Sequence, residues 1–196
     1  MDTKSRIMEE AFKLFLKKGF ADVSLSEIMK AADITTGGFY YHFDSKDTLL
    51  VKVIEKYIFD YFSSVINQIR NCTGTPKEKL KTMILSLIGE THLSKNSEKI
   101  DYRALHLLLM EGVQKYEIIS QHYTEFYYNL LNLITDVVDE GKAKGCIRKD
   151  VDSTEIATVI QTTMVGTVLM GIAMPEIPLE ERINSSIEQL WDYISK

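Results

Sequence analysis

SLSEIMKAADITTGGFYYHFDSK, residues 24–46, decides how this chain folds. Ser24 and Glu27 stand three positions apart ahead of an apolar run, the spacing of a reciprocal capping box that starts a helix. Ile28, Ala31 and Ala32 give that helix a thin apolar face, and Asp33-Ile34 breaks it. Thr35 is the expected N-cap of a second, short helix, because its hydroxyl can accept from a free backbone N–H. Thr36, Gly37 and Gly38 leave the start of that helix almost bare, and Phe39, Tyr40, Tyr41, His42 and Phe43 follow. A first turn of short side chains can lie close against another surface. In a helix-turn-helix that surface is DNA, and residues near the N-terminus of the second helix reach the base edges.

On these residues, Ile7 to Leu50 resembles the DNA-binding domain of the TetR family of bacterial and archaeal transcriptional repressors. Ser24, Glu27-Ile28, Ala31-Ala32, Ile34-Thr35, Gly37, Phe39-Tyr40, His42-Phe43 and Lys46 fall in register with the family's run. The resemblance is strong over the first quarter of the chain and rests on size and helical rhythm beyond it. It implies an all-α, nine-helix fold, with a three-helix DNA-binding domain at residues 1–46. Residues 47–196 would form a helical effector-binding and dimerisation domain. Two positions depart from the family pattern. Relatives often carry a longer or basic residue at Thr36, and many have Gly at Asp33, so base preferences do not transfer.

Composition fits a soluble globular protein: 45% hydrophobic and 26% charged residues among 196. Three prolines and ten glycines favour long helices. Cys72 and Cys146 are far apart and lack metal-ligand spacing, so they read as reduced thiols in a cytoplasmic protein. Residues 1–56 hold nine Lys/Arg and nine Asp/Glu, so the whole formal charge of −5 lies in the remainder. A neutral DNA module must gather its cations on one face and use backbone N–H groups and helix N-termini for phosphates.

Outside the corner, helical periodicity continues. A first helix is expected from about Lys4 to Lys18, with Ile7, Ala11, Leu14 and Phe15 on one face and Gly19 past its end. Ser45 should cap a fourth helix reaching about Asn71, with a continuous apolar stripe. Further helices are expected from Pro76 to His92, Asp101 to Val113, Glu117 to Lys144, past an Asp152–Glu155 capping box to Met174, and from Leu179 to Ile194. Residues 156–174 carry no charge and approach the length of a membrane span, but basic and aromatic anchors do not flank them. They read as a helix buried in an interface, where Gly166 and Gly171 permit close approach; no membrane partner is expected. Helices eight and nine hold more apolar surface than a lone small domain hides, which points to a homodimer closed by a four-helix bundle.

By resemblance, Thr35, Thr36 and Gly37 would meet bases or nearby phosphates. Tyr40, Tyr41 and His42 would contact the backbone, and Lys46 would bind phosphate. Ser24 and Ser26 lie where the first helix of the corner crosses the backbone. Phe39 and Phe43 are expected in the core. Relatives hold an effector within the helical domain, and aromatics with hydroxyl tips and flexible methionines suit a mostly apolar pocket. The candidates here are Tyr57, Tyr61, Phe62, Tyr102, His106, Met110, Tyr123, Phe126, Tyr127, Met164 and Met170. Glu90 and Glu111 interrupt apolar runs and are expected to face solvent. His92, His106 and His122 are too scattered for a metal motif, and no metal or cofactor is expected. The chain carries no Gly-x-Ser-x-Gly elbow, phosphate-binding loop or His-Glu-x-x-His, so an enzyme is disfavoured. The function expected is a ligand-responsive repressor that binds a palindromic operator as a homodimer. A constitutive regulator or activator of the same fold is the alternative.

Overall fold

The computed structural model describes residues 2–87, 101–174, 176 and 179–196. Among these the chain forms nine helices, counting as one the long helix that contains a π-helical turn. They are α1 (Thr3–Lys18), α2 (Leu25–Ala31), α3 (Thr36–Tyr40) and α4, which runs as Lys46–Ile54, Glu55–Phe59 and Asp60–Arg70. Then come α5 (Pro76–Leu87), α6 (Tyr102–Lys115), α7 (Glu117–Ala143), α8 (Ser153–Ala173) and α9 (Leu179–Ile194). The all-α, nine-helix architecture is as expected from the sequence. The expected Pro76–His92 helix is described only to Leu87. Glu90 and His92 lie outside the described residues.

The chain forms two compact units: Met1–Tyr61 with Ala104–Thr124, and Phe62–Arg103 with Glu125–Lys196. In the first, α1 packs on α2 and on the start of α4. Its core is Ile7, Ala11, Phe15, Val23, Ile28, Phe39, Phe43, Leu49 and Leu50, each at most 2% exposed. The end of α6 and the start of α7 belong to this unit as well. Gly112 is there for space, since a Cβ at this position would overlap the Ile54 side chain. Tyr116 then reaches Asp47 at the start of α4, and Lys115 the Phe20 ring.

The π-turn at Glu55–Phe59 has no cap or breaker in sequence to announce it. Its physical reason lies in the spacing of the core positions. Leu50, Ile54, Ile58 and Phe62 are all buried at intervals of four. On a helix of 3.6 residues per turn such a row precesses by about 40° per step. One wide turn takes up that precession and keeps the row inward.

In the second unit α9 packs on α5 and α8. The end of α9 is pinned by Arg148 N–H donating to Ile194 O at 2.9 Å. Asp152 caps α8 by accepting from Thr154 N and Glu155 N at 2.9 and 2.8 Å, so this cap is one-sided rather than the reciprocal box expected. Ile156, Ala157, Ile160, Gln161, Met164 and Gly171 form the inner face of α8. Its other face is open in the single chain, with Val159, Val165 and Leu169 exposed by 45%, 48% and 62%. The helix is long and apolar enough to cross a membrane by length and composition. It is not buried on all sides within the chain, and Gly166, expected at a close helix approach, has nothing within 4 Å of an added Cβ.

Candidate nucleic-acid interface

The corner is built from local hydrogen bonds. Ser24 Oγ accepts from Glu27 N at 3.2 Å, and Glu27 Oε2 accepts from Ser24 N at 2.9 Å, so the capping box is complete. Lys18 also donates to Glu27 Oε1 at 2.5 Å. That ammonium, with the Ser24 backbone N–H, holds the Glu27 carboxyl down to about 2. The box and the ion pair fasten α2 to the end of α1. Thr35 Oγ1 accepts from Gly38 N at 3.2 Å and starts α3. Between the two helices Asp33 adopts φ +48°, the left-handed region. This gives the departure from Gly a physical meaning: the turn demands that conformation, and aspartate is one of the few side chains that tolerates it.

Burial then sorts the short α3 cleanly. Phe39 and Phe43 turn inward, at 0% and 2% exposure. Ser24, Ser26, Thr35, Thr36, Gly37, Tyr40 and Tyr41 are all exposed, and His42 and Lys46 are half-buried. Tyr41 is 83% exposed, a cost for so large an aromatic ring. Gly37 has open space where a Cβ would sit, so α3 presents bare backbone at its first turn. Ser24 and Thr35 are used as helix caps, whereas Ser26, Thr36, Gly37 and Tyr41 are left to solvent. His42 lies edge-on to the Tyr41 ring at 4.9 Å.

Lys46 has a partner the sequence did not reveal. Its ammonium stands 4.2 Å from the centroid of the Phe20 ring, and Lys115 approaches the same ring at 5.0 Å. Beside them Tyr116 donates to an Asp47 carboxylate oxygen. Burial and this carboxylate both raise the Tyr116 pKa, so the phenol keeps its proton. Phe20, Lys115 and Tyr116 were missed because they come from a loop and a helix junction that no local pattern joins. Lys115 is also paired with Glu111 at 2.7 Å, and Asp47 keeps its charge under a neutral phenol. Among the described residues Lys46 is therefore the cation of this cluster with no carboxylate partner, and it stands at the N-terminus of α4.

The effector candidates fall in both units. Tyr57, Tyr61, His106, Met110 and Tyr123 belong to the first, and Phe62, Phe126, Tyr127, Met164 and Met170 to the second. In the first, Tyr57 stacks flat on Phe12 at 4.6 Å, which makes it a packing residue of α1 and α4. In the second, Phe62 stacks on Phe126 at 4.5 Å, and Met164 is 5% exposed. Met110 and Met170 are each 40% exposed on outward faces, so within the chain they do not line an interior. The Tyr102 side chain lies outside the described residues. Among the described residues no group of three or more His, Cys, Asp or Glu is placed to hold a metal.

An exposed helix-turn-helix on a buried aromatic core defines a DNA-binding protein of the helix-turn-helix class. Residues 7–53 match the family model described as "Bacterial regulatory proteins, tetR family". The HTH-type transcriptional regulator YuxN of Bacillus subtilis (strain 168) is 39% identical over 186 residues, covering 94% of this chain and 61% of YuxN. YerO, an HTH-type regulator of the same bacterium, is 39% identical over 84 residues, 42% of this chain and 29% of YerO. The chain thus matches less than two thirds of the length of either relative. A transcriptional regulator from Saccharomonospora viridis, solved in complex with choline, shares the fold at a TM-score of 0.81 with 17% identity, over 98% of this chain and 97% of that one. Residues 7–53 are thus a DNA-binding domain of the tetR type, and the chain as a whole is similar to TetR-type transcriptional regulators in sequence and fold.

Proposed function

We propose that this regulator is a repressor that binds a palindromic operator as a homodimer in the cytoplasm and releases it when a small, mostly apolar effector enters residues 47–196. Residues 1–46 carry the DNA contact. The observation that carries the reading is the sorting of α3, with its two phenylalanines buried and Thr35, Thr36, Gly37, Tyr40 and Tyr41 left outside. Thr36 and Gly37 read base edges, Ser24, Ser26, Tyr40, Tyr41 and His42 hold the backbone, and Lys46, beside Phe20 at the start of α4, meets a phosphate.

The homodimer is supported by the outer face of α8. Val159, Val165 and Leu169 are exposed over the outer half of α8, and burying such apolar surface is worth about 25 cal/mol per Å². A second copy covers it with the matching face, the self-complementary arrangement of a two-fold dimer. Effector control is supported by the S. viridis protein, which has this fold and a bound small molecule. The ligand here can shift the DNA-binding equilibrium only by its differential affinity for the two states.

Enrichment of random-sequence duplexes by the full-length protein, followed by quantitative binding, tests the DNA assignment. An inverted repeat should emerge from the wild type. A Thr36→Ala variant should enrich a different preferred base within each half-site, and an unchanged preference would remove Thr36 from base readout.

A further inference from the structure

Gln161 is the buried polar residue of the described core, 1% exposed on the inner face of α8. Its neighbours on that face, Ala157, Ile160 and Met164, are apolar and at most 5% exposed. The amide is half satisfied. Nε2 donates to the backbone carbonyl of Tyr127 on α7 at 2.9 Å, and Oε1 is buried with no hydrogen-bond partner among the described residues. Reversing the amide would set Oε1 against the Tyr127 carbonyl, acceptor against acceptor, so the carbonyl fixes which end is free. A buried acceptor left unpaired costs about 1–3 kcal/mol. An apolar side chain would avoid that cost at this position.

We infer that Gln161 is the polar anchor of the effector site, and that the effector carries a hydroxyl or N–H donor on an otherwise apolar body. The inference rests on the proposed effector control and narrows its ligand class. Tyr127 O clamps the amide, so Oε1 is pre-oriented and the ligand bears no cost of ordering it. Met164, one turn along α8, adapts to the body of the ligand. A site built to pair a donor rejects the analogue that lacks one, because Oε1 is then left unpaired.

The test uses matched probes on the full-length protein: thymol and its methyl ether, and n-octanol and heptyl methyl ether. Calorimetry should show each alcohol binding about tenfold more tightly than its ether, the worth of one buried hydrogen bond. In Gln161→Met the shape is kept and the acceptor removed, and the preference should vanish while the ether binds as before.

Equal binding of alcohol and ether by the wild type, or binding of neither, overturns the assignment. So does a preference that survives in Gln161→Met, since a tie between α7 and α8 alone predicts lower stability with no change in preference. Operator binding measured with the same probes separates the two proposals. A Gln161-dependent preference that leaves the operator bound supports the site and contradicts induction. Release by thymol equally well in Gln161→Met supports induction and contradicts the anchor.

Discussion

The α2–α3 corner and helix α8 carry polar groups on opposite terms. In the corner the side chains that cap the helices have partners three residues away: Ser24 with Glu27, Thr35 with Gly38, and Ser45 with Thr48 just beyond. The remaining polar groups face out. In α8 the threonines bond back to their own helix, as Thr158 does to Thr154 O at 2.8 Å, and the one inward amide reaches 34 residues away to Tyr127. The corner is set by local chemistry and presents its surplus groups to solvent. Helix α8 is set by what packs on each of its faces, and one of those faces is open.

The largest effect that separates the two regions is loss of the corner's core. Phe39→Ala should destabilise the chain by about 3–5 kcal/mol, the cost of a buried phenylalanine cavity. Urea unfolding with a fluorescent reporter in α3 checks this. A loss under about 1 kcal/mol would show that the corner does not depend on its aromatic core.

A charge on the open face of α8 comes next. Leu169→Glu should leave the secondary structure intact and convert the protein to a monomer, seen by sedimentation at micromolar concentration. A dimer that survives it moves the interface elsewhere. On the DNA face, Tyr40→Ala should weaken operator binding by about 1–3 kcal/mol, as for a hydrogen bond to a charged partner. Lys46→Ala should weaken all sequences alike and lower the salt slope by about one unit. If instead its Phe20 contact matters only for packing, stability falls and the slope stays.

The smallest effects lie in the caps. Ser24→Ala should cost about 1 kcal/mol of stability. The Glu27 carboxyl is held at about 2 by Lys18 and the Ser24 N–H, below the ordinary carboxylate value, so its contribution is complete above about pH 4.3. That contribution falls as pH drops toward 2, and Glu27→Gln should flatten this part of the acid unfolding curve.

This contrast also explains what was legible in the sequence. The caps at Ser24, Thr35 and Ser45, the stop at Gly19, and the inward Phe39 and Phe43 were readable because each is decided within four residues. The π-turn in α4 was not, since it answers a row of core positions whose depth only packing reveals. The cations over Phe20 and the Tyr116–Asp47 bond join segments far apart in sequence, 69 residues for the bond, and no periodicity marks such a meeting. Helix α8 was readable as an apolar helix but not by face. Hence Met170, a pocket candidate by sequence, lies on an outward face within the chain, and the inward turn of Gln161 is not marked by any local pattern.

The most direct test is the footprint and stoichiometry of the wild-type protein on DNA enriched from random duplexes. The account predicts two chains on an inverted repeat, each protecting a half-site in the major groove, with Thr36 and Gly37 at the base edges. One chain on a single unrepeated site, or protection that persists after the α3 face is replaced, would contradict it.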